Sequence, residues 1–188
     1  MLPPAPKPLG RLTMLLAGLQ AGMLAVLWML AWMGSSAVWQ RRSFWTSENL
    51  LATTFYGGAA VRDGFTASTA SGLALYLLVY STLGGLFAAA MGLRLTPAKL
   101  LLASIAAALG WYYLSFHYVW KSVSPLVPLL HAVRPNLVGH VIYGALLARF
   151  PNYLPRQASP PVSELQPAAA EGSDENRGAA DRQSPLIP

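Results

Sequence analysis

Three long runs without a charged residue constrain this chain more than any other feature. They extend over residues 12–40, 64–93 and 100–120. A helix needs about 20 apolar residues to cross a hydrocarbon core of about 30 Å, so each run is long enough to span a bilayer. The sequence therefore predicts an all-α integral membrane protein. The three predicted spans are at about residues 12–34, 70–92 and 99–119.

The charge distribution supports this class. Only 11% of the 188 residues are charged, against about 25% in an average soluble domain. Residues 1–156 hold eleven basic and two acidic residues. The basic residues lie singly or in pairs at the ends of apolar runs, where they can contact lipid headgroups. We therefore predict a lipid bilayer as the partner and no nucleic acid. The absence of cysteine excludes disulfides and thiolate metal sites.

The first apolar run leaves one alternative open. Lys7 and Arg11 precede it and Ser36-Ala37 supplies small residues, a pattern that also occurs in cleaved signal peptides. A signal peptide has an apolar region of about 7 to 15 residues, and this run is longer. We favour a retained span that follows an unstructured N-terminus over residues 1–11.

A fourth span is predicted to be short or broken at Arg134-Pro135. Residues 122–150 are apolar overall, but an arginine near the centre of a span costs at least about 2.5 to 3.5 kcal/mol on insertion scales. Proline disfavours helical geometry at the residue before it. We expect an interfacial segment over residues 124–133 and then a helix over residues 136–150, about 22 Å long. With both termini in the cytoplasm, these elements form a four-helix transmembrane domain over residues 12–150.

Two further segments are predicted outside the spans. An interfacial helix over residues 47–56 is expected, capped by Ser47 and ended by Gly57; a lid over a cavity is the alternative. Residues 157–188 are rich in Pro, Ala, Ser and Glu and lack the apolar content that offsets ordering entropy. We predict a disordered tail.

Small residues recur at four-residue spacing in the predicted spans. Such rows let helix backbones approach closely inside a membrane. They predict packing within one chain; a homo-oligomer or a larger membrane complex that uses the same rows is the alternative. Gln20 and Ser81 are expected to hydrogen-bond across the bundle. The candidate packing residues are Gly18, Gly22, Ser81, Gly84, Gly85, Ala88, Gly110 and Gly144.

Three histidines are the candidate cofactor ligands. His140 lies inside the predicted last helix, where an ionisable residue is a functional candidate by default. His131 lies in the interrupted segment, and His117 lies among aromatic residues at the end of the third span. Two histidines on facing helices could bind haem b or a metal. A structural hydrogen bond to a neighbouring helix is the favoured interpretation, so no cofactor and no metal site is predicted.

No catalytic motif is visible, no predicted span contains Asp or Glu, and Lys99 at the start of the third span is their only lysine. A proton-coupled transporter usually needs an intramembrane carboxylate. We therefore predict a non-enzymatic structural or accessory subunit. A small haem- or metal-binding redox subunit is the first alternative, and a minor transporter or channel is the second.

The motif Gly139-His140-x-x-Tyr143-Gly144, the Gly/Ala-rich first helix and the broken approach to the fourth span resemble a loose group of small bacterial four-span membrane proteins. These are known only as domains of unknown function. The resemblance covers about residues 12–150. It implies a location in the bacterial cytoplasmic (inner) membrane and a compact four-helix bundle, and it transfers no catalytic or ligand residues.

Overall fold

The structure is a computed structural model that describes residues 10–61 and 64–155. Within these ranges 83% of residues are helical and none lies in a strand. The predicted tail over 157–188 and most of the predicted N-terminal segment lie outside the described residues.

Three helical segments are long and apolar enough to span a membrane. They are α1 (Arg11–Trp39), α3 (Ala67–Met91) and a segment over Pro97–Val123. The third consists of α4 (Pro97–Leu114), a π-helical turn (Ser115–Val119) and α5 (Trp120–Val123). The remaining helices are α2 (Thr46–Tyr56), α6 (Leu126–Leu130), α7 (Val133–Leu147) and two 3-10 turns (Gly57–Ala60, Phe150–Tyr153).

The ends of the helices follow from local side-chain chemistry. A capping box begins α3, in which Thr66 and Thr69 each bind the other's backbone. Pro97 begins α4 at a position where a helix needs no N–H. Gly57 ends α2 with φ of 58°. Ser47 does not cap α2, which begins one residue earlier, at Thr46, and has no side-chain cap.

The last helix starts earlier than the sequence suggests. We expected Arg134-Pro135 to precede it, but α7 begins at Val133 and contains both residues in its first turn. The first four N–H groups of a helix have no intrahelical acceptor, so proline is tolerated there. The break in the chain instead lies at His131 and Ala132, whose backbone is extended between α6 and α7.

The long helices alternate in direction. Gly22 lies against Tyr80 and Gly18 against Ala88, so α1 and α3 are antiparallel. The helix α7 packs on both α1 and α4 and also contacts α3, because the His140 ring lies between Tyr80 and Tyr112. The helices α3 and α4 are joined by the short turn before Pro97 and meet at Tyr80 and Trp111, whose side chains are hydrogen-bonded.

Candidate functional site

Most of the predicted small residues lie where α1 crosses α3. A Cβ at Gly18 would lie 2.9 Å from the Cα of Gly85, and one at Gly84 would lie 2.8 Å from the Cα of Gly22. Real Cβ atoms essentially never approach so closely. Ala88 is fully buried beside Gly18, so the two backbones touch along this crossing.

The other predicted packing residues differ in how closely a neighbouring helix approaches them. A Cβ at Gly144 would lie 2.7 Å from the Cα of Ile105, which places α7 directly on α4. The Cα of Ser81 lies 3.2 Å from the Cβ position of Gly22. Gly110 does not share this role: it is exposed, and a Cβ there would meet nothing within 4 Å.

His140 is at the centre of a buried polar cluster. Its side chain is 0% exposed, and its Nε2 lies 2.7 Å from the hydroxyl of Tyr80. Its Nδ1 lies 2.9 Å from the carbonyl oxygen of Asn136, one helical turn earlier. Since a carbonyl only accepts, Nδ1 carries the proton, and Nε2 accepts from the Tyr80 hydroxyl.

Aromatic rings enclose this histidine. Tyr143 donates its hydroxyl to the backbone carbonyl of Tyr80 at 2.7 Å, and Tyr76 stacks on Tyr80 with ring centroids 5.8 Å apart. The ring of Tyr112 lies 5.1 Å from the ring of His140. Because side chains from α3, α4 and α7 meet here and satisfy one another, the cluster fixes the arrangement of three helices.

This geometry bears on the haem and metal alternatives. Both ring nitrogens of His140 are engaged, so ligation would require breaking one of these two hydrogen bonds. No group of three His, Cys, Asp or Glu side chains within the described ranges could hold a metal ion. The cluster therefore favours a structural role for His140.

The other two candidate histidines lie elsewhere. His117, in the π-helical turn, is exposed and its Nδ1 lies 3.0 Å from the carbonyl oxygen of Tyr113. His131 stacks on Phe116 with centroids 4.6 Å apart, and its buried Nε2 has no hydrogen-bond partner. Burial, the nearby His140 and Arg42 lower the pKa of His131 to about 3, so its ring is neutral at pH 7.

Glu48 is a buried acid that the sequence did not reveal. It is 1% exposed, and its Oε2 has no hydrogen-bond partner. Burial raises the pKa of Glu48 to about 7. The first turn of α2 lies directly on α3, because Gly72 has no Cβ to overlap the Glu48 carbonyl oxygen. The missed signal was Gly72, which permits this contact.

The side chain of Gln20 does not face the other helices, as the sequence predicted it would. It points away from the bundle and is exposed. It makes no side-chain hydrogen bond within the part of the chain that the structure describes. The expectation that Gln20 hydrogen-bonds across the bundle is therefore wrong for the single chain.

Searches of protein-family models, of curated proteins and of solved structures find no match to this chain.

Proposed function

We propose that this chain is a non-enzymatic structural or accessory subunit located in a bacterial cytoplasmic membrane. We also propose that two copies of the chain associate through the outer face of α1. The observation that carries the proposal is the outward position of Gln20. The resemblance to small four-span bacterial membrane proteins supports the location.

The depth of Gln20 makes its exposure unfavourable in a lone chain. It lies nine residues after Arg11, about 14 Å along the helix axis. With Arg11 at one edge of a core of about 30 Å, Gln20 is near the bilayer midplane. A carboxamide without a partner in hydrocarbon costs several kcal/mol, so a second helix is expected to satisfy it.

The surface around Gln20 fits a second copy of the same helix. A carboxamide both donates and accepts, so two glutamines related by a two-fold axis satisfy each other. Leu16, Gln20, Met23 and Leu27 are all exposed. Their spacing of four, three and four residues is the repeat of left-handed helix pairs. In such pairs one polar residue among apolar ones sets register and partner number.

We also propose that α7 crosses the membrane as a fourth span. At one end, Trp32 of α1 donates its Nε1–H to the carbonyl oxygen of Pro135 at 3.0 Å. At the other, Phe150 packs against Phe87 with ring centroids 6.4 Å apart. The chain from Val133 to Phe150 thus extends from the level of Trp32 to the level of Phe87, four residues before α3 ends. Both termini then lie on one side, which we propose is the cytoplasm.

The self-association proposal is tested by measuring dimer affinity in liposomes with fluorescently labelled chains. Gln20→Leu is expected to weaken the dimer about tenfold, because it removes a hydrogen bond worth about 1 to 2 kcal/mol in a membrane. Gln20→Asn should retain most of the affinity. Thr82→Val, which removes an exposed hydroxyl from α3, is the matched control and should behave as wild type. A wild-type chain that stays monomeric, or an unchanged dimer in Gln20→Leu, contradicts the proposal.

A further inference from the structure

Two adjoining cavities lie where α1 ends, α2 begins and α6 turns into α7. The larger has a volume of ≈ 300 Å³ and the smaller ≈ 20 Å³, enough for one water molecule. Arg42, Thr46, Leu50 and Leu130 line both. Arg41 lines the larger cavity and His131 the smaller.

Two arginines give the larger cavity a positive charge. Neither Arg41 nor Arg42 has an ion pair or a side-chain hydrogen bond to any described residue. Arg41 has φ of 58°, the left-handed conformation that glycine or asparagine usually occupies after a helix. Arginine there places a cation at the cavity at the expense of backbone strain.

Neutral donors lie at the smaller cavity. At the start of α2 the N–H groups of Thr46 and Asn49 donate to the carbonyl oxygens of Ser43 and Trp45. The N–H of Ser47, a residue that lines the smaller cavity, is left for an anion at this helix N-terminus. The Nε2 of His131 is buried without a hydrogen-bond partner. Guanidinium groups, a backbone N–H and an unsatisfied ring nitrogen are groups that bind a phosphate, and Arg42 lines both cavities.

The position and the apolar lining indicate the kind of phosphate. Arg41 lies two residues beyond α1, whose 29 residues from Arg11 to Trp39 extend about 44 Å. This length exceeds a hydrocarbon core of about 30 Å and places Arg41 at headgroup level. Leu50, Val61 and Leu130 line the larger cavity. Such a lining can hold the apolar attachment of a phospholipid headgroup, while the two arginines can hold a free phosphate equally well.

A second arginine pair lacks these features. Arg11 and Arg94 line a wider groove at the other end of α1, but its remaining lining residues are all apolar or glycine. Nothing there supplements the two guanidinium groups, so the groove matches ordinary contact of basic residues with headgroups.

We propose that the Arg41–Arg42 cavity is a specific site for a phosphate group. Its source is either the headgroup of an anionic phospholipid or a free phosphate. This site does not depend on self-association through Gln20, and Gln20→Leu should leave it intact.

The experiment uses the full-length chain in phosphatidylcholine nanodiscs. In one arm phosphatidylglycerol is added to the lipid; in the other inorganic phosphate is titrated at constant ionic strength. Bound ligand is measured by native mass spectrometry and the melting temperature by tryptophan fluorescence. A rise in melting temperature in the first arm alone identifies a lipid, and a rise in the second identifies free phosphate. No response in either arm overturns the proposal.

The variants are Arg42→Gln, Arg41→Gly and the control Lys121→Gln. Each arginine removal should weaken binding about tenfold, the usual effect of losing one hydrogen bond to a charged group. Arg41→Gly is the decisive variant, because glycine relieves the positive φ and should fold at least as well as wild type. Lys121→Gln removes an exposed charge on α5 outside both cavities and should bind as wild type. Equal binding by Arg41→Gly and wild type overturns the proposal.

Discussion

At the scale of single residues, burial determines what each polar side chain can do. Glu48 is buried with an unpaired carboxyl oxygen, whereas both nitrogens of His140 are satisfied. The sequence singled out His140 and not Glu48, because a histidine in an apolar run is conspicuous, whereas a glutamate in a predicted interfacial helix is expected to face water. In the structure, Glu48 has a buried polar atom without a hydrogen-bond partner, and His140 does not.

The raised pKa of Glu48 gives a prediction for stability. A carboxyl group that holds its proton more tightly when folded stabilises the protein fully below its ordinary pKa of 4.5 and loses that contribution as the pH rises to about 7. Glu48→Gln cannot ionise. Relative to wild type, its free energy of unfolding should therefore increase by up to about 3 kcal/mol between pH 4.5 and pH 7.5.

The measurement is thermal or denaturant unfolding of both proteins in the same detergent across this pH range. The difference between them is the quantity to compare, because His131 has a lowered pKa and contributes with the opposite sign as the pH falls below 6.5. A constant difference from pH 4.5 to pH 7.5 would show that Glu48 is not buried in the folded protein.

At the scale of helices, close backbone contact distinguishes the glycines. Gly18 and Gly84 meet at the crossing of α1 and α3, whereas Gly110 has open space where a Cβ would be. The same four-residue spacing therefore marks both a packed face and an open face. Spacing alone cannot separate them, because it says which residues share a face and not what that face meets.

These contacts predict that a glycine-to-leucine substitution changes the free energy of unfolding strongly at one site and hardly at the other. Gly18→Leu should lower the free energy of unfolding by about 3 kcal/mol or more, since side-chain atoms must displace the backbone of α3. Gly110→Leu should change it by less than about 0.5 kcal/mol, because its side chain enters open space. Thermal unfolding in detergent measures both. Similar losses in the two variants would contradict the observed crossing.

At the scale of the whole molecule, the number of crossings is the main structural question. The absence of cysteine allows single cysteines to be introduced at Gln40, Ala98 and Asn152, all of which are exposed. If α7 crosses, a membrane-impermeant thiol reagent should label Asn152→Cys from the same side as Ala98→Cys and from the side opposite to Gln40→Cys. Labelling of Asn152→Cys together with Gln40→Cys would show that α7 does not cross.

The sequence by itself determined the class of the fold and the approximate position of each long helix. Span length and hydrophobicity are local properties, so the apolar runs predicted three helices that are long enough to cross a membrane. The turn residues also acted locally: Pro97 begins α4 and Gly57 ends α2. Pro135 falls in the first turn of α7 because proline is tolerated there.

Only the tertiary structure decided which faces meet. It packed α7 against α1 and α4 and brought His140 to Tyr80 of α3. It placed Gln20 on the outer surface, buried Glu48 in the first turn of α2 and brought Arg41, Arg42 and His131 to adjoining cavities. These outcomes depend on contacts between residues far apart in sequence. Every long helix here is apolar around most of its circumference, so hydrophobic patterning does not mark which face points inward. Close packing of glycine backbones and buried polar pairs determine the inward face instead.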